Sequence, residues 1–511
     1  MTPPLPNGPS GEGKLRWRDL YREEELYKSA IRLYTKPLFS WRKALFSSTD
    51  KKDFYDFARR GPQNLSELHR SLRKESLAFR PGVALHRNFR GKRRTLYIYP
   101  WEERLVDLLL YRLLSSRLHG WFSPNSYAYR LRGFGLDRCQ RRIARLLGNE
   151  SAPFFVAKRD VASYFPSVHH ELLLGQIREI VEPQDYLYRL LEDRVRFQYQ
   201  DAGQIARASQ GIPFGTPVAC FFANLYLTPV DRELESLPFL HYFRYADDLL
   251  FFSKQPEITE AATAIFTRQL AALHLLSKPS HEQNILLARD PLPAEGYLPA
   301  SRLRHLGLEF QADGRIRLSR DKLRKIMNLF RFAFRRRRAK LARIVDLHKR
   351  AHFVVDSARQ SLEHSVRNVA IIDYYLKHVS EEEQLRRLDR WLAEEVLSLV
   401  FKGGHKKSYF RAIPYGTLRA LGLPSLVHRR RQIQHGQIDA PFFVWKWHQR
   451  QKSSRETAAR LVSPVAEAPA FSPCPEAVMT HSVSESLVGE RHHLSTGLIE
   501  VRKSEDLRTF P

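Results

Sequence analysis

Residues 241–253 read HYFRYADDLLFFS: two adjacent carboxylates, Asp247 and Asp248, inside an otherwise aromatic and aliphatic run. Tyr242, Phe243, Tyr245, Leu249, Leu250, Phe251 and Phe252 favour a pleated, half-buried surface. The run predicts two short strands joined at Ala246-Asp247-Asp248, a hairpin with both carboxylates at its tip. An unpaired carboxylate is costly to desolvate, so acids emerging from such flanks call for a cationic partner. An ordinary surface turn has the same appearance, because Asp is a common turn residue. The rest of the chain has to decide between the two.

Charge narrows the partner first. The 511 residues exceed one ordinary domain and suggest about two or three. Lys+Arg 84 against Asp+Glu 55 leaves a net charge of +29 and a pI near 10.1. That excess points to a polyanion, either nucleic acid or an anionic membrane. The basic residues are spread along most of the chain, which suits a long groove better than a detachable tail. Only Cys139, Cys220 and Cys474 are present, with no CxxC. A disulfide framework and a Cys-rich zinc module are thereby excluded, and a reducing cytoplasm is the expected compartment. The N-terminal residues lack the apolar core of a signal peptide. The uncharged stretch Gly211–Val230 is interrupted by two Gly, three Pro and an Asn, so it reads as a buried loop plus helix and no membrane association is expected.

Taken in order, residues 1–15 are Pro/Gly-rich and expected to be disordered. Residues 16–80 read as a helical N-terminal extension with Tyr21, Tyr27, Leu33 and Tyr34 on one face, a support for the segments after it. Arg90–Arg94 (RGKRR) leads into an alternating strand, which suits a hairpin whose cations reach a phosphate chain, although a solvated basic turn looks the same. Residues 102–118 have helical periodicity. SYAYR at 126–130 opens a loop containing Gly133 and Gly135, followed by a basic helix over 138–147.

FFVAKRD at 154–160 is a short apolar strand ending in an acid. Such an Asp can simply cap a helix. Asp160 lies 87 residues before Asp247, so any pairing is tertiary. One upstream acid and an acidic doublet on adjacent strands would make a site for two divalent metals. Oxygen ligands suit hard cations such as Mg²⁺, and metals ~3.5–4 Å apart can clamp both oxygens of an in-line phosphoryl displacement. Metal charge would also relieve repulsion among the carboxylates. Between the acids, QGIPFGTP at 210–217 offers close backbone approach at Gly211 and Gly215 and an amide at Gln210, a floor for a nucleotide or base pair, or else a tight connector.

With these residues in place the chain resembles the reverse transcriptases. Asp160 with Tyr164 (DVASY), QGIPFGTP, YADD and HLGLEF at 305–310 stand in the order and spacing of that family's palm motifs. RRTLYIYPWEER and SYAYR look like the fingers motifs of its prokaryotic branch: group II intron, retron, diversity-generating and defence-associated enzymes. The resemblance covers about Lys92–Phe310. It implies an α+β right hand with fingers, an antiparallel palm sheet and a helical thumb, over the ranges 81–310 (fingers and palm) and 311–401 (thumb).

The resemblance also implies roles. Asp160, Asp247 and Asp248 would be the catalytic, metal-binding triad, holding two Mg²⁺ ions, with Mn²⁺ as an alternative. Tyr164 would be the gate against a ribose 2′-OH, Gln210 would contact the incoming dNTP, and Lys92 and Arg94 its triphosphate. His305, Leu306 and Gly307 would form the primer grip. A general acid would be Lys278 or His281, with no basis for choosing. Thr216 stands where Ser is common in the family, and keeps the hydroxyl.

Beyond Phe310 the chain turns helical and basic. The stretch containing Arg335, Arg336, Arg337 and Arg338 fits a thumb helix pressing cations on a template–primer duplex. Residues 402–450 look like a basic, RNA-contacting extension, and 451–511 like a disordered tail. No Cys/His cluster follows the thumb, and no integrase, protease or ribonuclease H segment is recognisable. The resulting expectation is an RNA-directed DNA polymerase that copies a structured noncoding RNA into DNA from dNTPs in antiphage defence. A homo-oligomer or an accessory protein is left open. A template-independent or protein-primed polymerase on the same palm, and a non-catalytic maturase-like RNA-binding protein, are the alternatives.

Overall fold

The computed structural model describes residues 13–35, 48–89, 92–130, 133–150, 152–364 and 366–438. The tail expected from 451, Arg90 and most of the Pro/Gly-rich start lie outside them. Leu15, counted with that start, pairs its backbone with Ile180 and Glu182.

The N-terminal helices form because their apolar residues recur once per turn, and one of them is capped at its start. Glu23–Thr35 begins with three acids at its positive end and buries Leu26, Ala30 and Leu33. Asp53 and Asp56 form a reciprocal capping box on Phe54–Arg59. Both helices, with Gly61–Arg73, pack around Trp101–Arg117, where Arg112 reaches the Glu25 carboxylate (3.1 Å) and the Ser29 hydroxyl (2.6 Å).

Strands β1 (Gly82–Phe89) and β2 (Lys92–Ile98) make an antiparallel hairpin. Strand β3 (Phe154–Asp160) follows, then the small hairpin β4 (Gln198–Asp201) and β5 (Gln204–Arg207), then β6 (His241–Tyr245) and β7 (Asp248–Ser253). Strands β8 (Gln283–Leu287) and β9 (Leu298–Ala300) precede β10 (Arg302–His305), β11 (Leu308–Gln311) and β12 (Ile316–Leu318). They assemble into a fingers sheet β2-β1-β4-β5, a palm sheet β6-β7-β3-β8-β9 and a three-stranded sheet β10-β11-β12. The palm is antiparallel except at its edge, where β9 runs parallel to β8.

The two-residue alternation of the palm strands divides the core in two. Ala157, Tyr242, Leu249 and Phe251 face the fingers-side helices, including Pro217–Tyr226 and Pro256–Ala272. Phe154, Val156, Phe243, Leu250 and Phe252 face Leu136–Asn149, the three-stranded sheet and the helices beyond it. The right hand expected from the motifs is thus built on one shared sheet.

One boundary differs from expectation. The helical thumb begins at Arg320 rather than 311, because Leu308–Gln311 and Ile316–Leu318 are used as strands. In the basic C-terminal extension, Arg429 binds Asp373 through two bonds (2.5 and 2.8 Å), and Arg430 and Arg431 pair with Glu382. These ion pairs dock the helix Leu426–Gln434 on the thumb. Lys402, Lys406, Lys407 and Arg411 remain exposed there. Among the described residues no helix is long and apolar enough to cross a membrane.

Candidate active site

Strand pairing brings the three acids together. Asp160 ends β3 and is the direct partner of Asp248, the first residue of β7. Asp247 occupies the turn itself, after Ala246 in the left-handed region (φ +60°). The hairpin tip therefore carries one carboxylate, not two. The Asp247 carboxyl is pushed up to about 7, first by burial and then by the charges of Asp248 and Asp160, with Arg94 opposing. Asp160 has close polar neighbours: His281 Nδ1 lies 2.6 Å and the Lys278 ammonium Nζ 3.3 Å from its Oδ2. The Lys278 backbone N–H also donates to the Asp160 carbonyl, so both general-acid candidates are anchored on one metal-ligand candidate.

The turn rests on a buried ion pair. The Arg244 Nε donates to Asp231 Oδ1 (2.8 Å), its Nη2 to Asp231 Oδ2, and its Nη1 to the carbonyl of Ala246 (3.3 Å). SYAYR lies alongside: Tyr127 N–H donates to the Arg244 carbonyl, Arg244 N–H to that of Asn125, and the Ser126 hydroxyl to Asn224 (2.8 Å).

The nucleotide-pocket residues separate into two groups. Tyr164 is buried at 3% exposure and its hydroxyl donates to the Ala223 carbonyl at 2.5 Å, so it faces the core. Its neighbour Phe165 is half-buried, with ring centroids 5.1 Å from Phe214 and 6.2 Å from Tyr129. Phe165 is thus the less buried of the two adjacent aromatics. Gln210 is exposed. Gly211 (φ +85°) lies where a Cβ would stand 3.0 Å from the Pro166 carbonyl, which explains why glycine is needed there. Thr216 caps Pro217–Tyr226, its hydroxyl accepting from Ala219 N–H. Arg94, exposed on β2, lies over Phe214 at 5.7 Å. Of Lys92 only the backbone is described, paired with Phe89.

Leu306 (φ +47°) and Gly307 (φ +84°) form the two-residue turn between β10 and β11, both left-handed as a tight hairpin requires. Gln140, fully buried, donates to the Leu306 carbonyl (3.2 Å) while accepting from Tyr374 (2.8 Å), and Ser319 donates to the Gly307 carbonyl. The expected grip residue His305 points the other way. Its side chain is buried, its Nε2 has no hydrogen-bond partner among the described residues, and burial with Lys158 nearby lowers its pKa from 6.5 to about 3. A group held neutral in the fold but free to protonate when unfolded loses stability as pH falls below 6.5, by up to about 1.4 kcal/mol per pH unit. Between pH 7 and 5 the wild type should therefore lose more thermal stability than His305→Leu. Parallel melting curves would place His305 in solvent.

On the thumb, Arg320, Arg324, Asn328, Phe332 and Arg336 form an exposed stripe at four-residue spacing along Arg320–Arg336. Arg335 and Arg338 are exposed as well. Arg337 is not part of this surface: it donates to Ser357 (3.0 Å) and Gln360 and so ties the helix to its neighbour.

Residues 90–309 match the family model for reverse transcriptase (RNA-dependent DNA polymerase). They are a reverse transcriptase domain. The chain is 26% identical over 150 residues to Protein YkfC of Escherichia coli (strain K12), which covers 28% of this chain and 38% of that protein. It thus spans well under half the length of this relative. Among solved structures, telomerase from Candida albicans in complex with the TWJ fragment of telomeric RNA aligns over 73% of this chain and 71% of its own, at 10% identity and a TM-score of 0.40. Apo telomerase from Candida Tropicalis aligns over 74% of each chain, at 10% identity and a TM-score of 0.38.

Within the reverse transcriptase domain, counting along the sequence misses three contributors. Phe165 carries an aromatic signal, but spacing from Asp160 points to the adjacent Tyr164. Arg244 is visible in YADD's own strand, but its partner Asp231 belongs to a separate helix. Gln140 has no signal of its own, since only the fold carries it to Leu306.

Proposed function

We propose that the chain is an RNA-directed DNA polymerase that extends a DNA primer with dNTPs on a structured noncoding RNA template, in antiphage defence. The observation that carries the reading is the meeting of Asp160, Asp247 and Asp248 across β3 and β7, opposite Arg94 and the Phe165–Phe214 pair.

The donors fit hard divalent cations in kind. They are all carboxylate oxygens, and the Asp247 pKa is raised first by burial and then by the charges of Asp248 and Asp160, a repulsion that a bound cation would relieve. Among the described residues no three His, Cys, Asp or Glu side chains are already gathered as a metal-binding group. Asp160 is turned toward His281 and Lys278, and would exchange them for metal. Two Mg²⁺ ions on the three acids would supply electrostatic stabilisation of an in-line phosphoryl transfer. Arg94 would hold the triphosphate, and Lys278 or His281 would deliver a proton to the leaving pyrophosphate. The Leu306-Gly307 turn would seat the primer end, and the exposed stripe on Arg320–Arg336 the duplex.

Phe165 would exclude the ribose 2′-OH. Phe165→Ala should raise ribonucleotide use relative to dNTP by at least about tenfold. Tyr164→Phe should cost about 1 kcal/mol of stability through the lost hydrogen bond and leave sugar discrimination unchanged. A selectivity change in Tyr164→Phe alone would return the gate to Tyr164. The reading as a whole is tested by primer extension on an RNA template with labelled dNTPs and Mg²⁺. Template-dependent DNA product supports it, and product of non-templated composition attached to protein overturns it.

A further inference from the structure

Far from the acids, three arginines line an open pocket of about 410 Å³ formed by Arg289, Ser301, Arg302, Gln311, Asp313 and Arg315. They come from three separate segments: the chain leaving β8, the start of β10 and the turn between β11 and β12. Backbone hydrogen bonds stitch these segments together, from Ala288 N–H to the Ala300 carbonyl, Ala312 to Ser301 and Gln311 to Arg315. The arrangement is therefore built rather than left to loop motion.

Its charge is not balanced internally. Asp313 is held by Arg315 (2.8 Å), and Arg315 and Arg289 keep its carboxyl below the usual range. One acid against three guanidiniums leaves an excess of two positive charges. On the same outer sheet face Arg304 pairs with Asp321 (2.6 Å) and Arg317 with Glu381 (2.7 Å). Among the described residues Arg289 and Arg302 have no ion pair and are exposed. Like charges gathered in a concave site favour an anion, and planar guanidiniums suit phosphate oxygens.

Position selects the kind of phosphate. Leu287 pairs with Phe154, at the opposite end of β3 from Asp160, and Arg289 lies beyond it. Six residues of strand span roughly 20 Å, about six phosphates of a nucleic-acid strand at roughly 3.4 Å each. A single nucleotide seated at the acids cannot reach that far. We infer that the Arg289–Arg302–Arg315 pocket binds the phosphodiester backbone of a nucleic-acid strand at a point remote from the catalytic acids. The inference rests on the polymerase reading only in taking nucleic acid as the partner.

The test is the double variant Arg289→Glu/Arg302→Glu, with Lys51→Glu/Lys52→Glu as a charge-matched control at another exposed site. Binding is followed by fluorescence anisotropy from 50 to 200 mM salt without dNTPs. The probes are a 30-nucleotide poly(rA) strand and RNA–DNA primer–templates with 4 or 14 base pairs. The pocket variant should lose at least tenfold in affinity for a long probe, and its salt slope should fall by about 1.4, two phosphates at about 0.7 each on a single strand. Loss confined to the 14-base-pair duplex identifies the strand leaving the active site, and loss on poly(rA) a separate RNA segment. An affinity loss no greater than the control's on every probe, with melting temperature retained, overturns the inference. Primer extension by the wild type, scored separately, tells a failure of the pocket from a failure of the polymerase reading.

Discussion

Replacing Asp247 by Asn should abolish nucleotide addition, by roughly 10³-fold or more, the scale on which loss of a principal charge-stabilising group acts. The same change should make the protein more stable in metal-free buffer. The folded pKa of Asp247, about 7, is raised above its ordinary 3.8, so the folded state binds the proton more tightly than the unfolded one. Between about pH 4 and 7 stability then falls as pH rises, and above 7 the full penalty of the ionised group is present. Asn carries no such penalty, so the gap in melting temperature between Asp247→Asn and wild type should open across that window and stay open above it. Asp160→Asn should also abolish activity, but with no gain in stability, because Asp160 already has His281 and Lys278 beside it. Melting curves in EDTA from pH 5 to 8, paired with primer extension, read both effects. Equal stability changes for the two variants would refute this account of the local charge.

The second large effect concerns a residue that touches no substrate. Arg244→Leu leaves Asp231 buried without a partner, and breaking a buried pair in this way costs about 3–5 kcal/mol. Arg244 is wholly buried and Asp231 nearly so, which leaves little solvent screening to soften the loss. Removing both charges in Arg244→Met/Asp231→Leu should recover much of the stability. It should not recover activity in proportion, because Arg244 also holds the Ala246 carbonyl at the foot of the turn that carries Asp247. Denaturant unfolding and single-turnover extension separate the two. If the double variant regained full activity, the Ala246 contact would be without consequence.

Much of this architecture is legible in residue order. The alternation in Phe154–Asp160 and His241–Ser253 reads directly as strands with two buried faces, because side chains on a pleated strand have no other period available. The left-handed turn at Leu306-Gly307 and the glycines of QGIPFGTP are equally local, since backbone sterics set them. The meeting of Asp160 with the YADD acids was likewise inferable once two strand ends carried carboxylates.

What residue order left open was which of two adjacent or equivalent groups faces the site. Ser163, left-handed at φ +45°, breaks the strand after Asp160, so counting from the acid cannot say whether Tyr164 or Phe165 looks outward. The packing of Tyr164 against Ala223 decides it. Four consecutive arginines look interchangeable from 335 to 338, yet only the neighbouring helix commits Arg337 to Ser357 and Gln360. His305 is polar by type, and its burial follows from the sheet face on which it falls. Local sterics and periodicity therefore dictated the strands, turns and acids, while partners distant in the chain decided which side chains are free to meet a substrate.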